Sequence, residues 1–188
     1  MKKKMLTLLL SLILLLTACG SKPSETTPPT APTYPQAAEV SGDRIRIGQY
    51  RAEIPDTFQV YETDENNIVL TSTELHCIIG LFAYDVASLP EDEIELWMDQ
   101  RLPPADDAGE VDTAFSNMEL RGHFWVELDD DLQPTAKIQA TFTDSWYVYQ
   151  INTILMPGSE ETDAMSESIA FLMSFVADDV PARFDFIQ

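Results

Sequence analysis

Leu75-His76-Cys77-Ile78-Ile79-Gly80-Leu81-Phe82-Ala83-Tyr84 is the stretch that decides the fold. Successive side chains of a strand point to opposite faces. Cys77, Ile79 and Leu81 therefore share one face, and Ile78, Phe82 and Tyr84 the other. A strand that is apolar on both faces is covered on both, so this segment reads as the centre of a sheet. Upstream, Arg44-Ile45-Arg46-Ile47 alternates, and Tyr50-Arg51-Ala52-Glu53-Ile54 alternates in the opposite phase. The slip at Gly48 reads as a bulge or tight bend. Pro55-Asp56 turns the chain, and Phe58 to Tyr61 and Asn67 to Thr71 follow as strands, with Asp64 to Asn66 as the hairpin turn between them.

Downstream, Ser88 and Glu91 match the S-x-x-E capping box. Ile94, Trp97, Met98 and Leu102 recur at helical spacing. Together they predict a helix that Pro103-Pro104 ends. Pro103 to Asn117 reads as a long, mobile acidic loop, because unstructured connections of that length are functional or disordered. Leu120, Gly122, Phe124, Val126 and Leu128 then alternate with Arg121, His123, Trp125 and Glu127. Asp129 to Pro134 turns the chain, Lys137 to Thr143 forms the next strand, Asp144-Ser145 turns again, and Trp146 to Met156 runs on as a long strand. These three strands predict an antiparallel meander. Ser159 caps a second helix with Met165, Ile169, Leu172, Met173 and Val176 on its buried face, and Phe184, Phe186 and Ile187 dock the tail as an edge strand. The expected fold class is α+β. It is a single domain over residues 43–188, an antiparallel sheet of about seven strands with two helices in the order ββββ-α-βββ-α.

The start of the chain carries an address. Lys2, Lys3 and Lys4 precede an apolar run from Leu6 to Leu16, broken only by Ser11, and Thr17 and Ala18 stand before Cys19. A positive start, a short apolar core and small residues define a secretory signal. The run is shorter than the roughly 20 residues that span a bilayer. Leu16-Thr17-Ala18-Cys19 resembles the lipobox of bacterial lipoproteins. The resemblance implies residues 1–18 as a signal peptide, diacylglycerol on the Cys19 thiol, cleavage before Cys19 and acylation of the freed amine. The bilayer is then a partner through the Cys19 acyl chains, since two or more chains anchor stably where one does not. The expected location is the extracytoplasmic face of the cell membrane.

Residues 19–42 read as a disordered tether. Pro23, Pro28, Pro29, Pro32 and Pro35 are interleaved with Thr26, Thr27, Thr30 and Thr33. Such a segment buries too little apolar surface to offset the entropy of ordering. As polyproline II it reaches on the order of 70 Å. The chain carries 11 basic and 32 acidic residues, a net charge of −21, and cleavage would remove three lysines and no acid. That field repels nucleic acid, so nucleic acid is excluded as a partner.

The opening Tyr50-Arg51-Ala52-Glu53-Ile54-Pro55-Asp56-Thr57-Phe58 is similar to the strand-Pro-x-x-aromatic start of PsbP-like domains, and the closing strand and helix, Trp146 to Phe175, are similar too. The resemblance implies a sheet with helices on both faces and an accessory or assembly role, and it carries over no site residues.

Enzymatic chemistry has few footholds. The histidines are His76 and His123, and no H-E-x-x-H, P-loop, G-x-S-x-G or S-x-x-K motif is present. Cys77 lies in an apolar run and reads as a buried thiol. Its neighbour His76 would point to the opposite face of the strand. Glu127, Asp129, Asp130 and Asp131 gather carboxylates in the manner of a calcium loop, but Pro134 and Ala140 occupy the positions where an EF-hand starting at Asp129 needs Gly and Glu. No cofactor or metal is implied. The stronger candidate is a surface. His123, Trp125, Lys137, Gln139, Trp146 and Gln150 are placed on the outer side of the meander, where two tryptophans among amides would stack on a sugar or grip a peptide. A helix or tail covering that face would make the tryptophans core instead. The expected function is a membrane-anchored, non-catalytic binding, accessory or assembly module acting on an envelope protein or carbohydrate. The alternatives are a cell-envelope hydrolase of peptide or wall substrates and, less well matched to the domain's size, the solute receptor of a transporter.

Overall fold

The computed structural model describes residues 36–86 and 108–178, all within the compact unit Tyr34–Gln188. The proposed signal and Cys19, the helix expected from Ser88 to Leu102 and the tail from Phe184 lie outside the described residues. The described chain is 58% strand and 11% helix. This overturns the expected α+β fold with two helices. There are two antiparallel sheets, and one α-helix among the described residues.

The small sheet is built from β1 (Ala38–Ser41), β2 (Arg44–Ile47), β3 (Tyr50–Glu53) and β11 (Val176–Ala177), in that spatial order. The large sheet contains β4 (Gln59–Thr63), β5 (Asn67–Ser72), β6 (Cys77–Asp85), β7 (Gly109–Phe115), β8 (Met118–Leu128), β9 (Pro134–Thr143) and β10 (Tyr147–Leu155). Its order is β4-β5-β6-β10-β9-β8-β7. The expected central strand is in place: β6 lies between β5 and β10, with Leu81 opposite both Ile68 and Ile151. The meander β8-β9-β10 and the Asp64 turn also form as expected. Asp64 Oδ1 accepts the backbone N–H groups of Asn66 and Asn67 at 2.7 and 2.9 Å.

The change of phase at Gly48 has a different cause from the bulge expected. Ile47 pairs with Tyr50, so Gly48-Gln49 is a two-residue hairpin loop, and Gly48 takes φ +55°. Tight hairpins demand positive φ of this kind. The hairpin splits what reads as one interrupted strand into β2 and β3, and these belong to the second sheet.

The acidic loop expected from Pro103 to Asn117 also needs correction, because it contains β7. Val111, Thr113 and Phe115 turn inward along β8, while Glu110 and Asp112 face solvent. Those acids disguise the alternation. They also suit an edge strand, where charge discourages pairing with other chains. The tether read to residue 42 ends earlier in the structure: Ala38–Ser41 is β1, with Ala38 buried against the core.

The α-helix, α1 (Ala164–Met173), starts later than a cap at Ser159 would place it, since Ser159–Glu161 forms a separate 3-10 turn. It buries Ala164, Ser168, Phe171 and Leu172, while Met173 is exposed. Ser168 is the small residue that lets α1 approach β6: its hydroxyl donates to Cys77 Sγ at 3.8 Å. None of the described helices is long and apolar enough to cross a membrane.

The two sheets and α1 share one core. Ile45, Ile47 and Ala52 of the small sheet join Ile68, Leu70, Ile79 and Leu81 of the large one. An aromatic belt crosses it. Phe58 stacks on Phe171 at 5.6 Å, Phe171 meets Phe175, Phe175 meets Phe115 at 4.8 Å, and Phe115 meets Tyr50 and Phe142. Phe142 in turn stacks on Tyr149 with centroids 4.4 Å apart. The Tyr149 hydroxyl accepts the Gln49 N–H at 3.1 Å and donates to Asp144 Oδ2 at 2.7 Å.

Two glycines separate backbone strain from packing. Gly42 and Gly48 both have positive φ, but a Cβ at Gly42 meets nothing within 4 Å, whereas one at Gly48 falls 2.2 Å from the Tyr149 hydroxyl. Gly42→Ala is expected to cost about 1 kcal/mol, the left-handed penalty alone. Gly48→Ala adds overpacking and is expected to cost about 3 kcal/mol or more. Urea unfolding of the two variants checks the difference.

Candidate functional site

The expected surface on the meander is largely assembled by the strand register. His123 lies opposite Gln139, and Gln139 opposite Asn152; Trp125 lies opposite Lys137. Gln150, opposite Thr141 on the same face, donates from Nε2 to Asn152 Oδ1 at 3.1 Å. Trp125 is half-buried. Its indole N–H donates to Glu127 Oε1 at 2.7 Å, and Lys137 Nζ bonds the other oxygen of the same carboxylate.

Trp146 does not belong to this group. Asp144 Oδ1 accepts the backbone N–H groups of Trp146 and Tyr147 at 2.7 and 2.8 Å, so β10 begins only at Tyr147. Trp146 is 4% exposed and part of the core. On the face itself Val148 is fully buried and Gln139 is 5% exposed. Trp146 therefore does not join Trp125 on this face, and the two tryptophans form no shared platform there.

Cys77 is fully buried beneath α1, and burial pushes its thiol above the ordinary value against the opposing hydrogen bond from Ser168. A thiol held in that state is a poor nucleophile. His76, at φ +52°, is exposed. Among the described residues no group of three or more His, Cys, Asp or Glu is arranged to hold a metal ion. The Asp129 carboxylate is turned to its own turn, accepting the N–H groups of Asp131 and Gln133 at 2.9 and 2.8 Å.

The structure brings forward a site that the sequence reading missed. A cavity of about 880 Å³ is lined by residues of the small sheet and of α1. Register builds it. Residues Ile45, Ile47, Tyr50 and Ala52 face the core, so their neighbours Arg44, Arg46, Arg51 and Glu53 face outward, with Glu39 opposite Arg46. Phe171 and Ala170 of α1 and Val176 of β11 supply apolar wall, and Asp178 adds a carboxylate to the lining.

Arg46 and Arg51 stand directly opposite each other on neighbouring strands. Like charges in that position repel. Each is neutralised on its far side. Arg46 donates to Glu39 Oε2 at 2.7 Å and to the Gly48 carbonyl at 3.2 Å. Arg51 Nε lies 3.2 Å from Asp178 Oδ1. Arg44 and Glu53 form a looser pair at 3.5 Å with both side chains about three-quarters exposed; such a surface pair contributes little to stability. Arg46 is the most enclosed guanidinium, its side chain 16% exposed, while the side chains of Arg44 and Arg51 are largely exposed. The sequence carried a signal for this site: three of the few basic residues of a strongly acidic chain fall between positions 44 and 51.

No protein-family model matches the chain, and no curated protein matches it. Among solved structures, a protein of Bacteroides thetaiotaomicron VPI-5482 is similar to it over 70% of this chain, with a TM-score of 0.48 and 10% identity. The chain spans 46% of that protein's length.

The Glu127 carboxyl is held below its ordinary value, first by the Lys137 bond and then by the Trp125 indole. A depressed carboxylate keeps its bonds above its folded-state pKa and loses them as pH falls through it. The Trp125 indole N–H resonance is expected to titrate with a midpoint below that of an ordinary Glu at about 4.3. Lys137→Ala is expected to move the midpoint up, and an NMR pH titration of both proteins checks it.

Proposed function

We propose that the protein is a membrane-anchored, extracytoplasmic lipoprotein whose domain acts as a non-catalytic binding module through the arginine-lined cavity. The observation that carries this reading is the cavity's mixed charge. Planar guanidinia recognise carboxylate or phosphate through paired N–H donors. Glu53 and Glu167, also in the lining, are suited to an ammonium group. Phe171, Ala52 and Val176 add apolar lining. The volume lies in the range that holds small ligands. A zwitterion with an apolar body, such as a short peptide, matches all three features, and a simple anion matches only the first.

The lipobox-like Leu16-Thr17-Ala18-Cys19 supports the extracytoplasmic membrane location. A Pro- and Thr-rich tether suits a module that samples ligands away from the bilayer surface. The accessory role implied by the PsbP-like opening is in keeping with binding without turnover.

Titration of the soluble domain with short apolar peptides bearing free termini, and separately with inorganic phosphate, tests the cavity. A peptide is expected to raise Tm in a saturable manner. Arg44→Ala with Arg51→Ala is expected to weaken binding by about tenfold or more, the effect of losing charge-assisted hydrogen bonds. Cleavage of the peptides, or no shift with any of them, contradicts the reading. For the anchor, Cys19→Ser is expected to abolish incorporation of labelled palmitate and release the protein from membranes.

A further inference from the structure

A second surface, independent of the arginine cavity, lies at the far end of the β8-β9 hairpin. Phe124, Val126 and Leu128 recur at every second position of β8 and so share a face. It is the face that carries Met118 and Leu120 against the core further along the same strand. Register shows why the row runs out of cover. The pairing of β7 with β8 ends at Gly109 opposite Phe124, and that of β10 with β9 ends at Leu155 opposite Ala136. Beyond those points the hairpin continues, without a flanking strand among the described residues, to the pair Leu128 and Pro134. Exposure climbs along the row, from 37% at Phe124 to 53% at Val126 and 64% at Leu128, and reaches 72% at Leu132 in the turn. Leu132 holds φ +59°, a conformation that favours glycine. A large apolar residue thus stands exposed where the local backbone conformation disfavours it.

The turn at the end of this strip is acidic: Asp129, Asp130 and Asp131 are all exposed. We propose that the strip docks on another protein whose contact surface presents an apolar pocket bordered by lysine or arginine. Charge complementarity selects that occupant. An anionic bilayer repels the acidic turn, and a neutral one would have to desolvate its carboxylates. A second copy of this chain is disfavoured in the same way, since a two-fold contact sets the same acids against each other on a molecule of net charge −21. Apolar anchors inside a polar rim are the arrangement that gives interfaces their affinity, and rim charge gives partner choice.

The test uses the full-length chain in the cell that makes it, with a photo-crosslinking amino acid in place of Leu128. The expected product is an adduct to another protein, whose crosslinked peptide, read by mass spectrometry, carries apolar residues next to Lys or Arg. Leu132→Gly suits the backbone at that position and keeps the fold, yet it is expected to cut the adduct yield about tenfold. Asp130→Lys, which reverses a charge of the turn without touching the turn's hydrogen bonds, is expected to do the same. An adduct only to lipid, only to this chain or to a peptide without basic residues overturns the proposal. So does no adduct, or a yield that both variants leave unchanged.

Discussion

The hydroxyl of Tyr149 is the constraint on which the arrangement of the two sheets depends. The ring belongs to β10 of the large sheet and is 1% exposed. It is stacked on Phe142 and met edge-on by Tyr50 of the small sheet at 5.5 Å. Its oxygen reaches the hairpin loop of the small sheet at Gln49 and the turn before β10 at Asp144. A buried hydroxyl of this kind is costly unless both of its functions are met, and here one donor and one acceptor meet them. Burial and the nearby Asp144 carboxylate raise its pKa well beyond the ordinary tyrosine value, so it stays a neutral donor. The same Asp144 starts β10 and sends Trp146 into the core. Gly48 leaves the space into which the ring fits. Sheet packing, strand start and turn chemistry therefore converge on a few atoms.

The make-up of the arginine-lined cavity follows from that packing. The small sheet gives its aliphatic side to the core, and its other side is left to carry arginines and carboxylates in a cross-strand lattice. Arg46 is fixed by Glu39 and the Gly48 carbonyl, the glycine next to the Tyr149 contact. Asp178, which pairs with Arg51, is itself placed by its N–H bond to the Gln49 carbonyl at 2.7 Å. The loop that locks the two sheets together thus also positions two of the three guanidinia. This coupling favours a preorganised site, in which less of the interaction energy is spent on ordering side chains.

Much of the large sheet was legible in the sequence. The two-faced apolar run at Cys77 to Tyr84, the Asp64 turn and the period-two alternation of β8 and β9 each rest on local physics that tertiary structure did not override. The face shared by His123, Trp125, Lys137, Gln139 and Gln150 was legible for the same reason. Other features were hidden by composition. Glu110 and Asp112 gave β7 the look of a loop, although Val111, Thr113 and Phe115 kept a strand's period. Ala38–Ser41 was too short, and too close to the proline-rich stretch, to stand out as β1. Trp146 was assigned to the strand face by extrapolating the alternation of β10 through a turn whose Asp144 cap resets the direction of the chain. The arginine cavity was out of reach for a different reason. Its charges come from β1, β2, β3, α1 and the residue after β11, and only non-local pairing brings residue 178 beside residue 51. The α+β assignment failed at the same step, because no local pattern says that the Gly48 hairpin joins a second sheet with Val176–Ala177.

The most direct measurement is native-state hydrogen exchange on Tyr149→Phe, which removes one oxygen and leaves the stacked ring. The account predicts that the Gln49 amide and its neighbours in β2 and β3 exchange about tenfold faster or more, the consequence of stranding a buried donor and acceptor, while β6 and β9 keep their protection. Small-sheet amides that retain wild-type protection would contradict it.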